Sequence, residues 1–155
     1  SGLLGTIPMV LSEPSVDAVI LNAVGAAAIG LKATTHWNAD FDNEASKAFV
    51  AAWKEKHGDR PLTYYAQQSS DTALLIASAL KATGGLDDID AFREALRKAD
   101  FASTRGDFAW GPNQHPVQDW YMVAIVAGAA GKPTAVTGAK LREDGGDIYA
   151  ADCKM

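Results

Sequence analysis

The first pattern in the chain is an apolar stripe at helical spacing near its start. It comprises Val16, Val19, Ile20, Ala23, Val24 and Ala27. Pro8 and Pro14 bar a helix between them, so Ser12 is the expected N-cap of the helix that follows. Residues 3–6 ahead of this loop are expected to be the end of a buried strand. A strand, a loop and a helix in this order predict one unit of a parallel sheet.

Three further helices are predicted in succession after a candidate strand at residues 29–37. The first is capped by Asp42 and ends after His57, the second covers residues 63–83, and the third follows Asp88. Their expected buried residues are Ala45, Phe49, Ala52 and Trp53; then Ser69, Ala73, Ile76, Ala77 and Leu80; then Ile89, Phe92, Ala95, Leu96 and Ala99. Helices without intervening strands do not alternate as βαβ units do, so we expect a layer that serves a sheet formed elsewhere.

Residues 103–127 are expected to form two strands around a turn. Two prolines, a glycine and an asparagine fall within residues 111–116, which is strong turn chemistry. Residues 118–126 are rich in aromatic and β-branched side chains, as strands are. Residues 132–140 and 147–150 are candidates for short edge strands.

Composition favours a single soluble domain. The chain has 155 residues, 48% of them hydrophobic, and a net charge of -5, which argues against a nucleic-acid partner. No run approaches the ~20 apolar residues that cross a bilayer. Cys153 is the only cysteine, so no disulfide framework or cysteine-rich zinc site is expected. The apolar start without Met leads us to expect residues upstream of Ser1.

Catalytic and metal motifs are missing from the sequence. No phosphate-binding loop and no Gly-x-Ser-x-Gly elbow occurs, and the three histidines have no metal-ligand spacing. Asp87, Asp88 and Asp90 lack the glycine and terminal glutamate of a calcium loop and are better explained as helix capping. We therefore expect no catalytic residue, metal or cofactor. An α/β enzyme with its catalytic residues upstream stays open as an alternative, which a strongly perturbed His36 or His115 in a cleft would favour.

The order and spacing of ten short segments resemble one known family. The segments are 35–37 (THW), 40–43 (DFDN), 47–53 (KAFVAAW), 65–67 (YAQ), 70–75 (SDTALL), 79–85 (ALKATGG), 96–101 (LRKADF), 105–108 (RGDF), 111–116 (GPNQHP) and 118–121 (QDWY). In these segments the chain resembles the C-terminal portion of type I periplasmic substrate-binding proteins of ABC importers. This is the family of leucine/isoleucine/valine-binding proteins.

The resemblance implies an α/β fold of two lobes joined by three crossing segments, closing on a ligand like a clamp. Only the C-terminal portion of that fold would be present. Residues 1–33 would belong to the C-terminal lobe. Residues 34–105 would supply a hinge crossing and three helices of the N-terminal lobe. Residues 106–155 would cross back and complete the C-terminal lobe.

The resemblance also implies where a ligand binds. The loop after a strand end, with Thr6, Ile7 and Met9, would face the cleft, and Trp37 and Tyr65 would lie at the hinge. Amino-acid-binding members offer an acid from this loop to the ligand's ammonium, but residues 6–11 contain no carboxylate and Glu13 is close to the helix start. Since a buried ammonium needs a counter-charge, we expect an aromatic or branched aliphatic carboxylate, as in an aromatic-acid branch of the family.

The implied partners are the carboxylate ligand and the membrane permease subunits of an ABC importer, in the periplasm, with no nucleic acid and no cofactor. We further expect the chain to associate with itself or with an N-terminal half. Two other functions remain open under the same fold. One is the ligand-sensing domain of a receptor or regulator, and the other is a binder of branched-chain amino acids.

Overall fold

The computed structural model describes residue 3 and residues 6–153. Within them, five strands and four α-helices confirm the predicted α/β fold class. The strands are β1 (Val10–Ser12), β2 (Lys32–Thr35), β3 (Phe108–Trp110), β4 (Pro116–Ala127) and β5 (Pro133–Gly145). The helices are α1 (Ala18–Val24), α2 (Glu44–His57), α3 (Tyr64–Thr83) and α4 (Ile89–Lys98). The strand end expected at residues 3–6 includes residues 4 and 5, which lie outside the described part.

The five strands form one mixed sheet around β4. β1 pairs parallel with β2, and β2, β3 and β5 each pair antiparallel with β4. Because β5 follows β4 from Gln118 to Ala127, β2 and β3 share the opposite edge of β4, one after the other. The predicted hairpin is confirmed: the Gly111 amide donates to the His115 carbonyl at 2.8 Å across the turn. The candidate edge strand at residues 132–140 corresponds to β5, which is longer than predicted. The second candidate, residues 147–150, forms no strand.

The apolar core lies between α1 and the sheet. Its buried residues are Val16, Leu21, Ala28, Ala33, Val123 and Ile125. The predicted apolar stripe was right for Val16, which is buried, but wrong on the helix itself, since Val19, Ile20 and Val24 are exposed while Leu21 is buried. The cause is the helix start. α1 begins at Ala18, capped by Asp17 rather than Ser12, and 3-10 turns on both sides shift the phase of the pattern.

Local capping signals set the limits of the other helices. Asp88 caps α4 as expected, and Thr63, expected as the first residue of its helix, is the cap of α3; each accepts a backbone N–H three residues on. The predicted cap Asp42 was wrong by one residue. Asn43 Oδ1 accepts the Ser46 N–H at 2.8 Å, and Asp42 instead pairs with Lys47 at 2.6 Å. Gly58 and Gly84 end α2 and α3 with positive φ angles of 59° and 73°.

The predicted buried faces of the helices were wrong in part. On α3, Ser69, Ala73, Ile76 and Ala77 are exposed, and the buried residues are Gln67, Asp71 and Ala79. Ala52 on α2 and Ile89 on α4 are exposed as well. The reason is that, in the described part, α3 turns a polar face toward residues 103–105 and leaves its apolar side uncovered.

Asp71 is the centre of that polar face, with a side chain that is 1% exposed. Its carboxylate accepts five hydrogen bonds, from Gln67 Nε2, Ser103 Oγ, the Thr104 amide, Thr104 Oγ1 and Arg105 Nε, at 2.6–3.1 Å. A buried carboxylate is tolerated only with such compensation. Asp71 therefore fixes residues 103–105 against α3.

The network extends from Asp71 to two further elements. Arg105 Nη1 donates to Gln118 Oε1 at 2.8 Å, which reaches β4, and the guanidinium lies 4.3 Å from the Phe108 ring centroid. Asn43 Nδ2 donates to the Thr104 carbonyl at 3.0 Å, which reaches the start of α2. One buried cluster thus connects α2, α3 and the sheet.

Asp119 stabilises the irregular pairing of β4 with β5. Burial raises the pKa of its carboxyl group, but hydrogen bonds from Lys140 Nζ at 2.6 Å, the Asp144 amide at 3.0 Å and the Tyr121 hydroxyl at 3.2 Å outweigh burial and lower the pKa overall. These bonds lie where the register of the two strands shifts. They hold the bulged segment of β5 against β4.

We predict that Asp71→Ala lowers the free energy of unfolding by about 3–5 kcal/mol, because Arg105 loses its buried counter-charge and the four other donor groups lose their acceptor. Chemical denaturation followed by circular dichroism measures the change. Asp90→Ala on the exposed side of α4 is the control and should cost no more than about 0.5 kcal/mol. Equal effects of the two substitutions would contradict a central role for Asp71.

We also predict that Asp119 contributes to acid sensitivity. A pKa that is lower in the folded state gives stability above the unfolded pKa of about 3.9, and this stability is lost as the pH falls through the folded value. Asp119→Asn should therefore weaken the dependence of the unfolding free energy on pH below about pH 4. Denaturation curves across this range measure it. An unchanged slope would show that the Asp119 pKa is the same in both states.

Candidate functional site

A buried polar cluster marks the point where the chain leaves β2. His36 Nδ1 lies 2.9 Å from Glu13 Oε2, and the side chains of both residues are at least nine-tenths buried. Thr35 Oγ1 donates to Glu13 Oε1 at 2.6 Å. His36 Nε2 lies 3.4 Å from Gln68 Nε2 on α3. His36 therefore faces the Glu13 carboxylate through Nδ1 and the Gln68 side-chain amide through Nε2.

Trp37 follows directly and is also buried, with 4% of its surface exposed. Its indole Nε1–H donates to Ser46 Oγ at 2.9 Å, and its ring meets Phe49 edge to face at a centroid distance of 6.0 Å. Both partners lie on α2. The chain segment after β2 is therefore held to α2 through Trp37 and to α3 through His36.

A cavity of about 270 Å³ opens beside this segment. It lies between α1, residues 35–39, the start of α3 and strands β4 and β5. The lining residues that the following argument uses are Glu13, Asp17, Leu21, Trp37, Tyr64 and Val123. Leu21, Trp37 and Val123 make one wall apolar, which suits the body of a small organic ligand.

Both carboxylates of the cavity are occupied by protein donors. Glu13 is bound by His36 and Thr35, as described above. Asp17 accepts the Val19 amide at 3.0 Å through Oδ1 and the Tyr64 amide at 3.2 Å through Oδ2. Among the described residues that line the cavity, none is Lys or Arg. The cavity therefore offers neither an unengaged carboxylate nor a cationic side chain.

Tyr64 carries a phenol at the rim of the cavity. Burial is the main cause that raises the pKa of this phenol, followed by Tyr65 and the charges of Glu13 and Asp17. The phenol therefore stays protonated and able to donate at neutral pH. Its ring lies 4.0 Å from that of Tyr65, centroid to centroid.

The structure does not bring all the residues predicted for the site into one pocket. Trp37 lines the cavity, and Tyr65 is 59% exposed beside Tyr64. Thr6, Ile7 and Met9 are exposed and do not line it. Their role in binding remains a prediction. The sequence reasoning missed Asp17 and Tyr64, although the Asp17 position before Ala18 is a capping signal that would have identified it.

Residue 3 and residues 6–153 hold no candidate metal cluster and no candidate membrane-spanning helix. No group of three His, Cys, Asp or Glu side chains is placed to hold a metal ion there. None of the helices in that part of the chain combines the length and apolarity that a bilayer crossing requires.

We predict that His36 and Glu13 are energetically coupled. His36→Leu should cost about 3–5 kcal/mol of unfolding free energy, because the Glu13 carboxylate stays buried without its N–H donor. The double variant with Glu13→Leu should cost less than the sum of the two single changes. Thermal or chemical denaturation measures all three, with the exposed His115→Leu as a neutral control. Strict additivity would rule out the coupling.

Comparison with known proteins agrees with this architecture. A family model described as periplasmic binding protein matches residues 1–132. Among curated protein sequences, none matches the chain. A solute-binding protein of an ABC transporter from R. palustris, solved with benzoate, is 30% identical over 96% of this chain and 39% of its own, with a TM-score of 0.80.

Two further solved structures are similar over most of this chain. An ABC transporter substrate-binding protein from Sphaerobacter thermophilus is 28% identical over 92% of this chain and 39% of its own, with a TM-score of 0.84. A solute-binding protein from Rhodopseudomonas palustris, solved with 3,4-dihydroxybenzoic acid, is 28% identical over 88% of this chain and 38% of its own, with a TM-score of 0.75. The chain thus spans about two fifths of the length of these proteins. With the family model matched over most of its length, the chain belongs to the periplasmic binding protein family.

Proposed function

We propose that this chain is part of the solute-binding component of an ABC importer that takes up a small carboxylic acid. Family membership supports a protein that binds and does not transform its ligand. The similar structures from R. palustris were solved with benzoate and with 3,4-dihydroxybenzoic acid, which supports an aromatic acid. A branched aliphatic acid fits the same apolar wall.

The engagement of Glu13 and Asp17 is the observation that carries this proposal. A ligand with an ammonium group needs an anionic partner when it is buried, and both carboxylates of the cavity already accept hydrogen bonds from protein groups. An acid without an amino group needs no anionic partner, and its own carboxylate would be held by hydroxyls and backbone amides of the N-terminal lobe, as the family resemblance implies. Its apolar body suits the exposed side chains of Ile7, Met9 and Tyr65, which are available to a ligand.

The proposal also assigns the parts of the chain to two lobes and names the partners that these lobes would contact. Residues 1–33 and 106–155 would form part of one lobe, and residues 34–105 would form the crossing and helices of the other. Closure of the two lobes around the acid would present a surface to membrane permease subunits in the periplasm. The uncovered apolar side of α3, with Leu74 and Ile76, supports association with the rest of an N-terminal lobe or with another copy.

We predict that the natural full-length protein carrying this sequence binds benzoate or a hydroxybenzoate more tightly than leucine. Isothermal titration calorimetry measures both affinities. Tight binding of leucine together with no binding of benzoate-type acids would overturn the ligand class and favour an amino-acid binder.

We further predict that Tyr65→Ala weakens binding of the acid by about two- to tenfold, since an aromatic contact contributes about 0.5–1.5 kcal/mol. Tyr149→Ala is the matched control, because Tyr149 is similarly exposed, at 67% against 59% for Tyr65, but lies after β5, whereas Tyr65 packs against Tyr64, which lines the cavity. The same titration measures both variants. A loss of affinity in the control alone would place the site elsewhere.

A further inference from the structure

A second hollow lies between α3, α4 and the β3–β4 hairpin. We call it the arginine groove and define it by Leu75, Arg93, Leu96, Arg97, Trp110 and Gln114. Its volume is about 210 Å³, and it continues along Gly111 and Pro112 into an adjoining hollow of about 310 Å³. None of its residues lines the cavity beside Trp37. The groove is therefore separate from the site discussed above.

The floor of the arginine groove is rigid. The Trp110 indole Nε1–H donates to the Leu96 carbonyl at 3.1 Å. Its ring meets Phe108 edge to face at a centroid distance of 5.0 Å, and Phe108 meets Phe101 in the same way at 5.6 Å. The polar edge of Trp110 is thus satisfied within the chain. What the groove offers a partner is the apolar surface of Trp110, Leu75 and Leu96.

The rim of the groove is positively charged on a chain whose net charge is -5. Arg93 lies 3.5 Å from Asp90, and Arg97 contacts Glu94, each three residues earlier on α4. Pairs this exposed contribute little, so both guanidinium groups can exchange to another carboxylate at low cost. Arginine and tryptophan are the residues that most often dominate binding at protein interfaces.

The complementary surface lies on the same chain, at residues 147–152, which we call the tyrosine tail. Ile148 and Tyr149 are 70% and 67% exposed, among the most exposed large apolar side chains of the described part. Asp147 and Asp152 flank them. The tail therefore combines two apolar side chains with acidic neighbours, which are complementary to the apolar floor and the arginine side chains of the groove.

The tail is fixed next to the groove without entering it. Asp147 Oδ2 accepts from Asn113 Nδ2 at 2.7 Å, and Asp147 Oδ1 accepts the Tyr149 amide at 2.9 Å. Asn113 lies between Pro112 and Gln114, which line the two hollows. Groove and tail thus form neighbouring halves of one surface, while the exposure of Ile148 and Tyr149 shows that they do not fill the groove of their own chain.

We propose that the arginine groove of one copy receives the tyrosine tail of a second copy in a two-fold symmetric dimer. A two-fold axis between two adjacent complementary patches makes both contacts at once, since each copy supplies one groove and one tail. Ile148 and Tyr149 pack on Trp110, Leu75 and Leu96. Asp152 faces the two arginines. The charged side chains determine how the two copies are oriented, and the apolar side chains provide most of the surface buried between them.

Sedimentation velocity of the purified chain across a wide concentration range tests the proposal. The chain should form a dimer that weakens as salt rises, because exposed charge pairs are screened. Arg97→Glu and Tyr149→Ser should each weaken the dimer at least about tenfold. Combining Arg97→Glu with Asp152→Arg should restore association, which loss of folding would not do.

The two controls are substitutions outside the groove and the tail: one reverses a charge, and the other replaces an exposed apolar side chain by a polar one. Lys54→Glu on α2 and Leu86→Ser after α3 are exposed and should leave the dimer unchanged. Circular dichroism should show the same fold for every variant. A monomer at all concentrations overturns the proposal. So does a dimer that survives both groove and tail variants but is broken by Leu74→Ser on the apolar side of α3.

Discussion

The buried carboxylate of Asp71 is the constraint on which most of the helical layer depends. It has a side chain exposure of 1% and five hydrogen-bond donors, and each donor fixes a different part of the backbone or a different side chain relative to α3. Through Arg105 the constraint reaches Gln118 on β4, and through Thr104 it reaches Asn43 at the start of α2. Apolar contacts alone could let α3 slide against residues 103–105, whereas this set of directional bonds has a single geometry.

The sequence predicted those features that local chemistry determines. Asp88 caps its helix because a carboxylate satisfies one of the first N–H groups, and residues 111–116 turn because their composition permits little else. The buried faces were predicted less well. Periodicity assigned the apolar side of α3 to the core, but the side that is buried carries Gln67 and Asp71, whose partners are more than thirty residues away in sequence. No local pattern contains that information.

The same distinction explains the outcome at the candidate site. The family resemblance implied a place for Trp37 at the hinge, and in the structure Trp37 lines the cavity. The pairing of Glu13 with His36 was not predicted, because the two residues come together only when β1 and β2 pair in parallel register. The inference of a ligand without an ammonium group began from a loop without a carboxylate. In the structure the two carboxylates beside the cavity, Glu13 and Asp17, each contact two protein donors.

Both buried polar clusters meet α3 within its first two turns. Gln68 approaches His36 at the end of β2, while Gln67 and Asp71 bind residues 103–105 ahead of the hairpin. Two chain segments that lead from the sheet to the helices and back are therefore fastened to one short stretch of helix. Any movement of the helical layer against the sheet that keeps these bonds must leave that stretch in place and bend the backbone on either side of it. Residues 38–42, between Trp37 and the cap of α2, carry none of the bonds of the two clusters but are fastened to the sheet in their own right. Asp40 Oδ2 accepts the Thr137 amide at 2.9 Å, and the Phe41 ring meets Tyr121 edge to face at a centroid distance of 4.9 Å. The segment that leads to α2 is therefore held to β4 and β5 as well.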